Sequence, residues 1–470
     1  MAGKRMGAPL QAPLFFEILK PLFISLKLFY LALLMGIPFV TGSVYVQHPL
    51  APYALLLAGL LILLGFLYQK RLPFPAAAAF LFLFVAALLS PEKTLSFEYL
   101  AAFFLSFTAL LVFDPADEKL LTPFLAFYSL TMACYVAFQY YVVYPSLLAQ
   151  VTDPAQRAIL RGMRFFGTFA LPNIYSFFLM AVVLLMFMRL LKEKKSLYWI
   201  PFLVNGTMLL LTRSFIAAVL TFLMIVILAL KKNKILGWGI AGAGLSLGGL
   251  FFLLTRGTES LGQSLFFRYA NYVSALRIFR DYPLAGTGLN HFDLYYPLYR
   301  LEGANYVHNA HALPFQMMAD LGGIGIAVLL LLGLFLWSLR KSPFFPLLMA
   351  LMLHFVFDLT FYIPSVAALF WAYAGIAQKK REYTRKKGLS LPALASLFLL
   401  CAAFIPSFRY YTVNPPHPVR RMEKEARLHR ERGALYSHFI TMYKLNQFVD
   451  AKEKPQIREQ YEEYKKIWNQ

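Results

Sequence analysis

Apolar runs long enough to cross a bilayer recur along most of this chain of 470 residues. A spanning helix needs about 17–25 mostly apolar residues, since hydrocarbon offers no partner for an open backbone N–H or C=O. By length and apolarity, about thirteen segments qualify. They are 28–44, 50–67, 74–89, 97–113, 124–144, 173–191, 198–212, 215–230, 235–255, 315–337, 344–361, 364–377 and 391–404. The shorter ones can merge or re-enter. The composition agrees: 59% of residues are hydrophobic and only 14% charged, too few to coat a soluble domain. The expected class is all-α, a polytopic helical membrane protein with about 12–13 transmembrane helices. Residues 14–26 mix Glu17 and Lys20 with Phe and Leu, which suits a helix lying along the membrane surface. The first apolar stretch lacks a small-residue cleavage site, so no cleavable signal peptide is expected.

A formal net charge of +22 raises the question of nucleic acid, but no basic patch carries a recognisable reader motif. In a membrane protein such an excess anchors cytoplasmic loops. One set of alternate loops holds Lys70 and Arg71; Arg189, Lys192, Lys194 and Lys195; Lys231, Lys232 and Lys234; Arg340 and Lys341; and six basic residues between Lys379 and Lys387. The opposite short loops carry only Lys93 and Arg213. The basic set is therefore expected in the cytoplasm with the N-terminus, in a multi-pass membrane protein. The stretch from Asp114 to Lys119 is acidic on the basic side and stands out against this pattern.

Two long loops then face outward, at about 145–172 and 256–314, and so does the tail. This gives a membrane domain over 1–406 and a helical periplasmic tail over 407–470. The tail's polar helices fall at about 418–432, 434–448 and 454–468; a solvated appendage or a tetratricopeptide-like hairpin would both give this pattern. Cys134 and Cys401 lie inside apolar segments and read as interior residues, with no disulfide framework.

The outer side is rich in arginine: Arg157, Arg161 and Arg164 in the first long loop, Arg256, Arg268, Arg277, Arg280 and Arg300 in the second. Arg213 is the informative one, because short outer loops are normally poor in basic residues. The guanidinium fork matches phosphate oxygens bidentately, so several facing one cavity would suit a lipid diphosphate. Taken singly, each also suits snorkelling to headgroups. His308 and His311 lie three apart, a spacing open to a metal on one helix face, to a general base, or to surface packing. Glu302 and Asp320 are weak third ligands, so no metal is expected. Asp358 lies late in an apolar span, where a carboxylate pairs with a cation or hydrogen-bonds at headgroup level, and His354 is placed one turn deeper to bond it.

Several stretches resemble the O-antigen ligase family. They are Arg164-Phe-Phe-Gly-Thr-Phe-Ala-Leu-Pro-Asn173, Leu211-Thr-Arg213-Ser, Arg268-Tyr-Ala-Asn-Tyr, Tyr282-Pro-Leu-Ala-Gly-Thr-Gly288, and His311 followed by an apolar helix with Asp320 and Gly322. Asp358 falls where the family has an acidic residue about fifty positions after its histidine. The resemblance covers about 163–375. Leu313 stands two residues after the histidine, where the ligase pattern often has serine.

The resemblance implies a GT-C-like scaffold and a glycosyltransferase of lipopolysaccharide biosynthesis, acting on the periplasmic side. Its donor would be an undecaprenyl-diphosphate-linked glycan and its acceptor a lipid A–core hydroxyl, within membrane lipids and with no cofactor. His311, Arg213 and Arg268 would be catalytic. Arg164, His308, Arg161, Asp358 and Arg277 would bind substrate. Spacing to Gly322 favours His311 over His308 as the base. An O-antigen or capsule polymerase and a protein O-oligosaccharyltransferase are close alternatives. A transporter of lipid-linked glycan is a rival of another class.

Overall fold

The computed structural model describes Lys27 and residues 73–378, apart from 92, 151–163, 168, 170, 194, 256–257 and 306. The expected spans at 28–44, 50–67 and 391–404, the surface segment 14–26, and the tail from 407 lie outside the described residues. Every regular element described is helical, and none is a strand. In order these are α1 (Phe74–Leu89), α2 (Lys93–Val112), α3 (Glu118–Phe138), α4 (Tyr144–Gln150), α5 (Pro172–Glu193), α6 (Trp199–Leu211) and α7 (Phe215–Lys232). Then come α8 (Lys234–Thr255), α9 (Thr258–Asp281), α10 (Phe292–Tyr299), α11 (Leu313–Ser338), α12 (Phe345–Phe357) and α13 (Pro364–Ala377). Four helical stretches, 115–150, α5, α7 and α11, are long and apolar enough to cross a membrane; α1, α6 with its preceding turn, α12 and α13 are shorter apolar helices.

Central and peripheral helices differ as their sequences dictate. In α5 every residue from Ile174 to Phe187 is buried, and in α13 every residue from Ser365 to Ile376. A helix apolar all round has to be enclosed or in lipid, and these two are enclosed. Helices α6, α7 and α8 instead expose Leu203, Leu210, Leu223, Ile227, Trp238 and Leu245, a surface suited to lipid tails. Cys134, expected inside, is exposed on α3 and carries a free thiol. An apolar segment does not reveal which of its faces meets protein when lipid is equally apolar.

The acidic stretch on the basic side is also explained. Lys27 bonds Asp117 at 2.6 Å and reaches Asp114 at 3.4 Å. Arg189 pairs with Glu118 at 2.7 Å and with Glu193. These carboxylates tie helix ends together at the basic end of the bundle.

The expected outer loop 256–314 is largely ordered structure: it begins as the long helix α9 and includes α10. A second small core, with Ala275, Ile278, Phe292, Tyr296, Val307, Ala310 and Ala319, fastens both helices to α11. Tyr272 stacks on Phe315 at 4.4 Å.

Helix α11 is broken at Gly322, which has φ 60° and ψ −136°. The turn 283–288 docks onto the break. Gly323 N–H donates to Pro283 at 2.7 Å, Thr287 N–H to Ala319 at 3.1 Å, and Gly288 N–H to Asp320 at 2.8 Å. Gly286 has φ 67°, and a Cβ there would overlap the main chain of Asp320 and Leu321. Gly286→Ala should therefore lower the thermal midpoint of the detergent-solubilised protein. The positive φ alone costs an L-residue about 1–2 kcal/mol, and main chain cannot yield to relieve the overlap. Gly206→Ala on α6, with open space around it, should stay within about 1 kcal/mol of wild type. Equal melting of the two variants would mean the docked turn imposes no constraint.

Candidate active site

The polar groups at the opposite end of the bundle are positioned by helix ends. Helix α12 stops at Phe357, so Asp358 is a capping residue in extended backbone rather than part of the span predicted from sequence. Its Oδ1 accepts the Leu359 N–H at 2.7 Å, and its Oδ2 accepts Asn173 Nδ2 at 2.9 Å. Arg268 of α9 spans this corner. Its Nη1 donates to the Phe357 carbonyl at 2.7 Å, one of the acceptors a helix end leaves open, and its Nη2 lies 3.9 Å from Asp358 Oδ2.

His311 occupies the loop just before α11 and is half-buried, with φ 56°. Among the described residues nothing hydrogen-bonds its ring. Its pKa lies below the ordinary 6.5. Burial is the main cause; Asp358 opposes the shift and Arg268 reinforces it. At neutral pH the imidazole is therefore uncharged and able to accept a proton.

Arg213 sits in the tight turn between α6 and α7, exposed, with φ 53°. Thr212 braces the turn: its Oγ1 donates to the Leu209 carbonyl at 2.6 Å and accepts the Ser214 N–H at 3.2 Å. Arg164 Nη1 donates to the Arg213 carbonyl at 3.3 Å. The segment from Arg164 leads directly to Asn173 at the start of α5, so both arginine groups share one end of the bundle.

Other expectations separate here. His308 is exposed and faces Asp293 at 3.4 Å, whereas the charges acting on His311 are Asp358 and Arg268. Arg277 is exposed on α9; nine residues from Arg268, it falls on the opposite side of the helix. His354 does not bond Asp358: its Nδ1 lies 3.2 Å from Thr360 Oγ1, because Asp358 has left the helix and turned to Asn173. Arg157 and Arg161 lie outside the described residues. Asp320 is fully buried and held by Gln316 at 2.9 Å and by the Asn290 N–H at 2.9 Å.

Sequence reasoning passed over Asn173, Gln316 and His291. The first two had a signal: each is a lone amide in an apolar helix, and Gln316 falls four residues before Asp320. His291 had none. It is buried, and its Nδ1 bonds the Thr287 carbonyl at 2.8 Å.

A helical membrane protein with a histidine, a carboxylate and arginines gathered at one end of the bundle, away from its basic loops, is the class these features define. Residues 199–330 match the family model described as O-antigen ligase. They include Arg213, Arg268 and His311, and the match supports a function of the O-antigen ligase or polymerase type. No curated protein matches the chain.

The charges around His311 can be tested by titration. Asp358→Asn removes the group that opposes the downward shift, while Arg268 keeps its anchor on the Phe357 carbonyl. The His311 midpoint should move lower still, read from the pH dependence of its modification by diethyl pyrocarbonate in mass spectra. A midpoint that stays or rises would show that Asp358 does not act on the ring.

Proposed function

We propose that this protein transfers a glycan from undecaprenyl diphosphate to a hydroxyl of lipid A–core on the periplasmic face of the bacterial inner membrane. The observation that carries this reading is the Arg268–Asp358–His311 corner beside the Arg164–Arg213 turn, with Arg213, Arg268 and His311 inside the stretch matched to O-antigen ligase. The basic loops at the far end supply the orientation, since such loops stay in the cytoplasm.

The chemistry follows from the residue types. The acceptor hydroxyl gives its proton to the neutral His311 imidazole. Its oxygen bonds to the anomeric carbon from the face opposite the diphosphate. The bond from that carbon to the phosphate oxygen breaks, its electron pair leaves with undecaprenyl diphosphate, and the anomeric centre inverts. Charge growing on the leaving group is met by Arg213 and Arg268, with Arg164 behind. Fixed donors of this kind contribute roughly 3–4 kcal/mol each. The Phe357 carbonyl and Asp358 hold Arg268 in place, Asn173 holds Asp358, and positive charge from side chains makes a metal unnecessary.

A polymerase would use the same corner with a second lipid-linked glycan as acceptor. Leu313, fully buried where ligases often have serine, favours keeping that reading alongside.

The test uses purified full-length protein, an undecaprenyl-diphosphate glycan and lipid A–core, with and without chelator. Wild type should glycosylate lipid A–core in both conditions. His311→Ala should lose roughly 10²–10⁴ in rate, while His308→Ala stays near wild type. Lengthened donor glycan without glycosylated lipid A–core would make the protein a polymerase. No transfer of either kind, with lipid-linked glycan moving between leaflets, would overturn the enzymatic reading.

A further inference from the structure

Gln316 and Asp320 lie one turn apart on α11, and both are fully buried. Asp320 Oδ2 accepts the Asn290 N–H and Gln316 Nε2, each at 2.9 Å. Gln316 Oε1 accepts the Ala310 N–H at 2.7 Å, and Gln316's own N–H donates to the Ala312 carbonyl at 3.0 Å. The glutamine side chain thus holds the residue before His311, and the first helical bond of α11 holds the residue after it; His311 between them has the left-handed backbone that L-residues populate sparsely.

The chain of bonds has a polarity. Asp320 Oδ2 meets two N–H donors and can only accept there, whereas a primary amide has one donating and one accepting end. Asp320 therefore draws the NH2 of Gln316 toward itself and leaves the oxygen for Ala310. With the amide reversed, its oxygen would face the carboxylate and its NH2 would face the Ala310 N–H. Both contacts would be repulsive and buried, away from any water that could relieve them.

We propose that Asp320 and Gln316 form a positioning relay, in which the carboxylate orients the amide and the amide holds His311 in its left-handed conformation at the site. The relay also joins the glycine turn to the histidine loop, since Asn290 follows that turn and Gly288 N–H bonds the Asp320 carbonyl. Its catalytic consequence rests on the reading of His311 as the base; its structural consequence does not.

Variants of nearly unchanged shape separate the relay from bulk packing. Both bonds at Asp320 fall on one oxygen, so Asp320→Asn can keep its amide oxygen in that place and still accept from Asn290 and Gln316. Asp320→Leu removes the acceptor, and the Gln316 amide loses the group that orients it. Gln316→Met removes the hold on Ala310 and leaves the main-chain bond to Ala312 in place.

Two readouts are taken on the purified full chain: the rate at which diethyl pyrocarbonate labels His311, with exposed His308 as internal reference, and kcat and KM for the lipid-linked donor. Asp320→Leu and Gln316→Met should each change His311 labelling severalfold. Each should also lower kcat by about 10²-fold, as misplacing a reacting group does, with donor KM little altered. Asp320→Asn should stay close to wild type in both readouts. Wild-type labelling in Asp320→Leu and Gln316→Met, or Asp320→Asn as altered as Asp320→Leu, overturns the relay. Labelling that shifts while kcat stays at the wild-type level supports the relay and removes His311 as the base.

Discussion

A broken helix near the membrane must recover the hydrogen bonds that its break removes, and in this protein the means of recovery also builds the site. At Gly322 the α11 ladder is interrupted, and its open groups need other partners. The turn from Pro283 to Gly288 supplies them. It accepts from Gly323 and donates to the carbonyls of Ala319 and Asp320, so two stretches of chain are zipped together through main chain alone. That contact fixes where α9 ends and α10 begins. It also places Asp320 beside Asn290 and, through Gln316, beside the loop that carries His311. The break is thus the point from which the outer part of the molecule is hung.

The two ends of the bundle treat charge differently. At the basic end, cations meet carboxylates across helices, as Lys27 does with Asp117 and Arg189 with Glu118. At the other end, two guanidiniums lean on carbonyls: Arg164 on Arg213, Arg268 on Phe357. A carbonyl orients a guanidinium without cancelling its charge. Asp358, 3.9 Å from Arg268, is shared with Asn173 and the Leu359 N–H, which spreads its effect over several donors. Positive charge is held in place there, an arrangement that suits the proposed diphosphate donor.

Much of this architecture was legible in the chain itself. The spans at 74–89 and 364–377 coincide with helices α1 and α13, and the others described overlap helices with ends displaced by a few residues. Apolar length decides where a helix can run, but capping decides where it stops. Asp358 read as part of a span because nothing apolar changes until after it; the helix ends one residue earlier so that the carboxylate can face Asn173 and Arg268. The histidine pair read as neighbours by spacing, yet the chain reverses between them and sends His308 to Asp293. Arg277 belongs to the same helix as Arg268 but to its other side, which the sequence could have shown once that stretch was recognised as helical. The Gln316–Asp320 relay was hidden for a different reason: its partners are main-chain groups, and sequence alone does not say which N–H will be left open.

Backbone strain connects these observations. Among the described residues three non-glycines have positive φ: Arg213, Asn290 and His311. Each directly precedes the N-cap of a helix, Ser214 for α7, His291 for α10 and Ala312 for α11. At such reversals glycine is the residue of least cost, and retaining a side chain costs about 1–2 kcal/mol. Two of the three side chains kept are the arginine and the histidine whose chemistry suits diphosphate departure and proton removal. The third, Asn290, lends its main-chain N–H to the carboxylate that orients Gln316. A left-handed residue ahead of a helix lets the chain reverse sharply while the helix behind it stays packed, so reversal and packing are met by one local geometry. That the chain accepts this strain at Arg213 and His311, and braces it with Thr212 and Gln316, is the strongest structural reason to place the chemistry there.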